Sequence, residues 1–358
     1  MVLILLLLTT AQSQMFFGLT NKSDSTALDC KSYECVQNPP SDFGLLRICA
    51  EYKSSAGKYG LKKCDYPNSF ENFCDTRNFV DQKAYCVTPQ LEKTGLYPGE
   101  PCSQNKTCLS QYCQGDFCEG GKLGDSCSSN SECNHGLRCL GTCQPLIGLN
   151  QYGCHSDYDC INSCGCDKNS TGESGVCRPY FSIPIGQVVG SCVEYNSLLC
   201  EKGQCTNSTN STYECVEPFV SRRNTECVSS SQCLSANSEV YSKCECGYNG
   251  PGNAYCQPFI GDSVGMDLLS SLKDWVQSNE ILFCNTERRW SLDCAENWNG
   301  NDYDRLKYRY YAYKNFTHYQ LNDECVKNIY TYDYWDSKKL YSEDSSVYLA
   351  LVSAYFLI

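Results

Sequence analysis

The sequence predicts a small disulfide-rich fold: an elongated array of short β-hairpin and loop modules with little helix, followed by a small mixed C-terminal cap. Three observations predict it. Thirty-one of the 358 residues are cysteine, a density typical of secreted scaffolds held by cross-links. Those cysteines recur in blocks with a common start and a common stop. The chain also opens on an apolar leader.

Residues 1–13 read as a signal peptide. Met1 to Leu8 is an apolar run too short to cross a bilayer, and Ala11 and Ser13 fit a signal-peptidase site. Residues 14–98 form a looser region with Cys30, Cys35, Cys49, Cys64, Cys74 and Cys86, read as a divergent first member of the array.

Residues 99–261 hold five tandem modules. Their cysteines are Cys102, Cys108, Cys113 and Cys118; Cys127, Cys133, Cys139 and Cys143; Cys154, Cys160, Cys164, Cys166 and Cys177; Cys192, Cys200, Cys205 and Cys215; and Cys227, Cys233, Cys244, Cys246 and Cys256. All are expected to be structural disulfide cysteines. Units below about 40 residues bury too little apolar surface to fold alone. Closing a 15-residue loop with a disulfide contributes about 3 kcal/mol in the chain-entropy model, so two bridges per module replace the missing core. Four modules end alike, in Cys143-Gln-Pro, Cys177-Arg-Pro, Cys215-Val-Glu-Pro and Cys256-Gln-Pro, each followed by an apolar pair. The proline is expected to end ladder pairing, and the apolar pair to cover the next module. Contacts between modules are expected to be mostly nearest-neighbour.

Residues 262–335 change character. Leu268, Leu269, Leu272, Trp275 and Val276 share one helical face, predicting a short amphipathic helix that caps the last module. The stretch Tyr308-Arg-Tyr-Tyr-Ala-Tyr-Lys reads as a strand or as part of the same cap. Asn297 to Asp304 is rich in oxygen ligands but lacks EF-hand spacing, so it reads as a polar turn. Residues 336–358 are a polar spacer and an apolar tail, Val347 to Ile358. The tail fits a glycolipid (GPI) attachment signal or a last strand or helix packed on the protein.

The cysteine total is odd, so at least one thiol lacks an intramolecular partner. The two five-cysteine modules, each with a C-x-C, and the tail (Cys284, Cys294, Cys325) each hold an odd number. The remaining cysteine could stay free, be buried, or join a second chain as a covalent dimer.

The formal charge is −12, which argues against nucleic-acid partners and against anionic membrane surfaces. Contact with a membrane is expected only through the lipid anchor. Sequons at Asn21, Asn105, Asn169, Asn207, Asn210 and Asn315 are candidate N-glycosylation sites. The three histidines, His135, His155 and His318, are not paired for a zinc site. There is no C-x-x-C, no G-x-S-x-G and no P-loop. No catalytic, metal or cofactor-binding residue is therefore assigned, and no cofactor is expected.

Cys127-Ser-Ser-Asn-Ser-Glu-Cys133-Asn-His-Gly-Leu-Arg-Cys139 resembles the opening of the Dickkopf N-terminal cysteine-rich domain. Cys154 to Cys160 and Cys227 to Cys233 echo it. The resemblance covers the array alone and implies an extracellular disulfide module. The colipase-like second domain of that family has no match here, so no receptor-binding residue and no Wnt role transfer. Cys244-Glu-Cys246-Gly-Tyr is similar to the end of an EGF module, and the composition resembles that of ciliate cysteine-rich surface proteins. The resulting expectation is a non-enzymatic extracellular protein, secreted or at the cell surface, that binds an unknown protein or glycan partner or forms a coat. The alternatives are a secreted Dickkopf-type modulator and an extracellular enzyme housed in the C-terminal region.

Overall fold

The computed structural model describes residues 95–314, apart from 169–173, 193, 208–212, 223–225, 238–239, 247–253 and 299–301, together with six strands between residues 33 and 87. The leader, the 315–358 tail and the sequons at Asn21, Asn169, Asn210 and Asn315 lie outside the described residues. The upstream strands form two three-stranded sheets, one centred on Tyr59–Leu61 and the other on Lys83–Val87.

The chain falls into two compact units. One takes in modules one to four and residues 275–298; the other takes in the upstream strands, module five, residues 263–274 and residues 302–314.

Every module is built on one plan. Numbering each module's cysteines without Cys164 and Cys246, the third and fourth face each other across a short antiparallel pair: Cys113 and Cys118, Cys139 and Cys143, Cys166 and Cys177, Cys205 and Cys215, Cys244 and Cys256. Disulfides join first to third cysteine and second to fourth: Cys102–Cys113 and Cys108–Cys118, Cys127–Cys139 and Cys133–Cys143, Cys154–Cys166 and Cys160–Cys177, Cys192–Cys205 and Cys200–Cys215, Cys227–Cys244 and Cys233–Cys256. The bridges themselves form the module cores, as in the buried cluster of Ile147, Cys154, Cys160, Cys164, Cys166 and Cys177.

Three local devices recur. The first is a β-turn ahead of the first cysteine, with positive φ at Gly99, Gly124, Asn150 and Gly186. Glycine and asparagine tolerate that conformation, which a type II turn requires. The N–H of each of these residues donates to the carbonyl of the module's fourth cysteine at 2.8 to 2.9 Å, and that cysteine's N–H donates back to the next residue's carbonyl at 2.8 to 3.0 Å. The second is a 3₁₀ turn leading into the second cysteine, at Asn105–Thr107, Asn130–Glu132, Asp157–Asp159, Glu194–Leu199 and Ser230–Gln232. In four modules a side-chain oxygen on its first residue accepts the third cysteine's N–H: Asn105 from Cys113 (2.9 Å), Asn130 from Cys139 (2.7 Å), Asp157 from Cys166 (2.7 Å) and Ser230 from Cys244 (3.0 Å). Ser, Asn and Asp suit this role because their short side chains reach neighbouring backbone. The third is a hand-over between modules: Leu96, Gly121, Ile147 and Ile183 each form a one-residue parallel bridge to the second cysteine of the module that follows. Ile147 and Ile183 lie on the exit segments of the modules before them.

Pro145 and Pro179 are the last residues of their strands, opposite Leu137 and Cys164, so ladder pairing stops at each proline as expected. Of the two readings of the tyrosine-rich stretch, strand or part of the cap, the structure takes the second, as a helix. Helix α1 (Ser263–Gln277) buries the five predicted apolar residues. Helix α2 is Leu292–Trp298, and helix α3, Asp302–Lys314, carries the tyrosines. Asp302 and Asp304 in the first turn of α3 favour its N-terminus, and Leu306 and Tyr310, spaced by four, form its buried stripe. The Arg309 guanidinium donates to Ser271 Oγ at 2.8 Å, joining α3 to α1.

Candidate functional site

The most elaborate side-chain arrangement among the described residues is the segment from Glu280 to Trp298, laid across modules one, two and three. It comprises two 3₁₀ turns, Glu280–Phe283 and Thr286–Arg288, and then α2. The Cys284–Cys294 disulfide closes it, with both cysteines buried.

The segment recognises the modules through their turn carbonyls. Asn285 Nδ2 donates to Asn130 O (3.0 Å) and Cys133 O (3.1 Å) of module two. Thr286 Oγ1 donates to Tyr158 O of module three at 2.7 Å. Arg289, with none of its surface exposed, donates to Cys160 O (2.9 Å), Cys164 O (2.8 Å) and its own segment's Thr286 O (3.0 Å). Module three answers with Asn162, whose Nδ2 donates to Ile281 O (2.7 Å) and Cys284 O (2.8 Å). On module one, Arg288 Nε sits 3.4 Å from Glu100 Oε1 and its guanidinium lies 4.9 Å from the Tyr97 ring centroid.

A buried charge is tolerated only when its hydrogen-bonding capacity is met. The Arg289 fork meets this with carbonyls from the end of one 3₁₀ turn (Cys160), the start of a strand (Cys164) and its own turn (Thr286). Aromatic contacts complete the docking: Trp298 stacks on Phe117 (5.3 Å) and Phe283 (4.7 Å), His135 meets Phe283 edge-on (6.1 Å), and Trp290 meets Tyr180 (4.9 Å). Burial lifts the Tyr180 phenol well above its ordinary range, with Asp157 reinforcing the shift, and burial also raises the Glu287 carboxyl. One segment distant in sequence thus joins three modules.

The structure corrects one cysteine assignment. Cys164 forms no bridge and is a buried free thiol. The hairpin register decides this: the residue opposite Cys177 is Cys166, while Cys164 stands opposite Pro179. Burial raises the Cys164 thiol above its ordinary range, so it is poorly nucleophilic and closed to a second chain. The side chain of Cys246 and all of Cys325 lie outside the described residues. The sulfur trios Cys102/Cys108/Cys113, Cys127/Cys133/Cys143, Cys154/Cys160/Cys166 and Cys227/Cys233/Cys256 each lie within 4.8 Å. Every one of those sulfurs is in a disulfide, which leaves no thiolate to hold a metal.

Asn105 and Asn207 are exposed. His135 and His155 lie in separate modules, and His318 lies outside the described residues. Sequence reasoning missed Asn162, Asn285, Thr286 and Arg289. The one signal near them was the dipeptide Arg288-Arg289 in an acidic chain, which by itself reads as a solvated surface. The turns also display apolar tips, with Leu123 68% exposed, Leu149 50% and Ile185 39%, each just before the positive-φ residue.

No helix among the described residues is long and apolar enough to cross a membrane. No family model matches the chain, and no solved structure matches it. Two curated proteins do. The chain is 26% identical over 208 residues to prion-like-(Q/N-rich) domain-bearing protein 25 of Caenorhabditis elegans, covering 56% of this chain and 28% of that one. It is 26% identical over 194 residues to cell-cell adhesion glycoprotein 64 of Heterostelium pallidum, covering 48% of this chain and 55% of that one. The chain thus spans about a quarter and about half the length of these relatives. The disulfide-bonded modules and the likeness to an adhesion glycoprotein are consistent with an extracellular or cell-surface protein.

Proposed function

We propose that this is a non-enzymatic cell-surface glycoprotein that acts in cell-cell adhesion or recognition through a protein or glycan partner. The observation that supports it best is the repeated module: five copies of one stapled hairpin, three of which carry exposed apolar turn tips at equivalent positions. Repetition of a small rigid unit multiplies weak contacts into avidity. The likeness to an adhesion glycoprotein points the same way. In this reading the C-terminal tail is exchanged for a glycolipid and the chain has no catalytic centre.

The test uses intact cells. An antibody to the array should label unpermeabilised cells, a phosphatidylinositol-specific phospholipase should release the antigen, and cells lacking the protein should aggregate less. Antigen found only after permeabilisation, or unaltered aggregation, overturns the reading. Soluble protein in the medium with an intact 347–358 tail favours a secreted modulator instead.

A further inference from the structure

We propose that module one carries an N-linked glycan on Asn105 and that the sugar is added before the module closes. The inference rests on the extracellular reading above, because the modification needs passage through the secretory pathway. In the transfer, Asn105 Nδ2 bonds to the anomeric carbon of a lipid-linked oligosaccharide, the anomeric C–O bond breaks so that the lipid diphosphate leaves, and the amide loses one proton.

The sequon Asn105-Lys106-Thr107 is the whole of the module's 3₁₀ turn. Asn105 is exposed, and the bond that uses it in the fold goes to its oxygen: Cys113 N–H donates to Oδ1 at 2.9 Å. A glycosylated amide keeps that oxygen as an acceptor. The repeat shows that the nitrogen is dispensable to the module, since Asp157 and Ser230 make the equivalent bond to Cys166 and Cys244 without an amide nitrogen. A sugar on Nδ2 is therefore compatible with the finished fold.

The threonine sets the order of events. Thr107 is 2% exposed and its hydroxyl donates to Gln104 O at 2.7 Å. The hydroxyl that makes a sequon recognisable is thus turned inward once the turn forms. That turn is held between Cys102–Cys113 and Cys108–Cys118. Transfer must precede these bridges, while the segment is still extended and both sequon groups can be reached. Asn130 occupies the same place in module two, but Ser131-Glu132 follows it, so only module one of the pair is marked.

The first experiment is peptide mapping of the full-length protein from its own cells, deglycosylated by peptide-N-glycosidase in ¹⁸O water. Near-complete isotopic conversion of Asn105 to Asp is expected. Conversion at other sequons with Asn105 untouched overturns this inference and leaves the extracellular reading standing. No conversion anywhere overturns both. The second experiment offers unglycosylated full-length protein from tunicamycin-treated cells to microsomal oligosaccharyltransferase. Reduced and alkylated protein should be modified at Asn105 at least tenfold more than oxidised protein, and equal modification overturns the order of events. Asn105→Asp serves as the folding control: it keeps the oxygen acceptor, so secretion should match the parent while the glycan is lost. Failure of that variant to fold would show that the nitrogen is needed and would overturn the compatibility argument.

Discussion

Arg289 shows how much one side chain can organise when its donors are all used. Its guanidinium is dry, and its hydrogen bonds run chiefly to backbone carbonyls of module three and of its own turn. Arg289→Met takes the donors from Cys160 O and Cys164 O. Buried acceptors left without donors cost about 1–3 kcal/mol each, so denaturant unfolding should show a loss of about 3 kcal/mol. Arg289→Lys should recover part of it, because an ammonium keeps the charge but not the planar fork. Beneath it, Cys164 contributes a pH dependence. Its folded thiol holds its proton above the ordinary thiol range, whereas the unfolded thiol releases its own near about 8.5. The unfolded state then binds fewer protons, so this contribution to stability falls as pH rises past that value. Urea unfolding at pH 7 and pH 9.5 should show the fall in the parent and a smaller one in Cys164→Ala. A thiol reagent should leave Cys164 unmodified until denaturant is added.

Each module is a closed circuit of backbone bonds around two disulfides, and its weak points are conformational. Gly99 and Gly124 occupy the same place in modules one and two, at φ +94° and +90°. A Cβ on Gly124 meets nothing within 4 Å, whereas one on Gly99 would clash with Phe283 O. Gly124→Ala should therefore cost only backbone strain, about 1–2 kcal/mol. Gly99→Ala should cost a further ~1–3 kcal/mol, because overpacking is added and the docked segment must move. Thermal unfolding of the two variants separates the terms. The modular plan was legible in the sequence because cysteine spacing and turn residues are local signals. Choosing Cys166 over Cys164 as the bridging cysteine was not, since it depends on which residue stands opposite Cys177 in the ladder. Of the two readings of Tyr308 to Lys314, strand or part of the cap, the structure takes a helix joined to α1. Its aromatic content suggests a strand, but the buried spacing of Leu306 and Tyr310 is helical.

At the scale of the chain, the segment Glu280–Trp298 makes three modules depend on one another. Removing its clasp with Cys284→Ser/Cys294→Ser should raise amide exchange in modules one, two and three together, with module four changing less. Hydrogen exchange read by mass spectrometry checks this, and a rise confined to residues 280–298 would show that the modules stand independently. Such coupling carries no sequence signature: Asn285 lies more than 150 residues from Asn130, and its partners are carbonyls that every residue possesses. By itself the sequence determined the disulfide-rich class, the five modules and their turns, because each follows from residue type at short spacing. Only the tertiary structure decided that Cys164 stays unbridged and where the C-terminal segment docks. Both depend on which backbone groups a distant side chain can reach once the modules are closed, and linear spacing does not encode that.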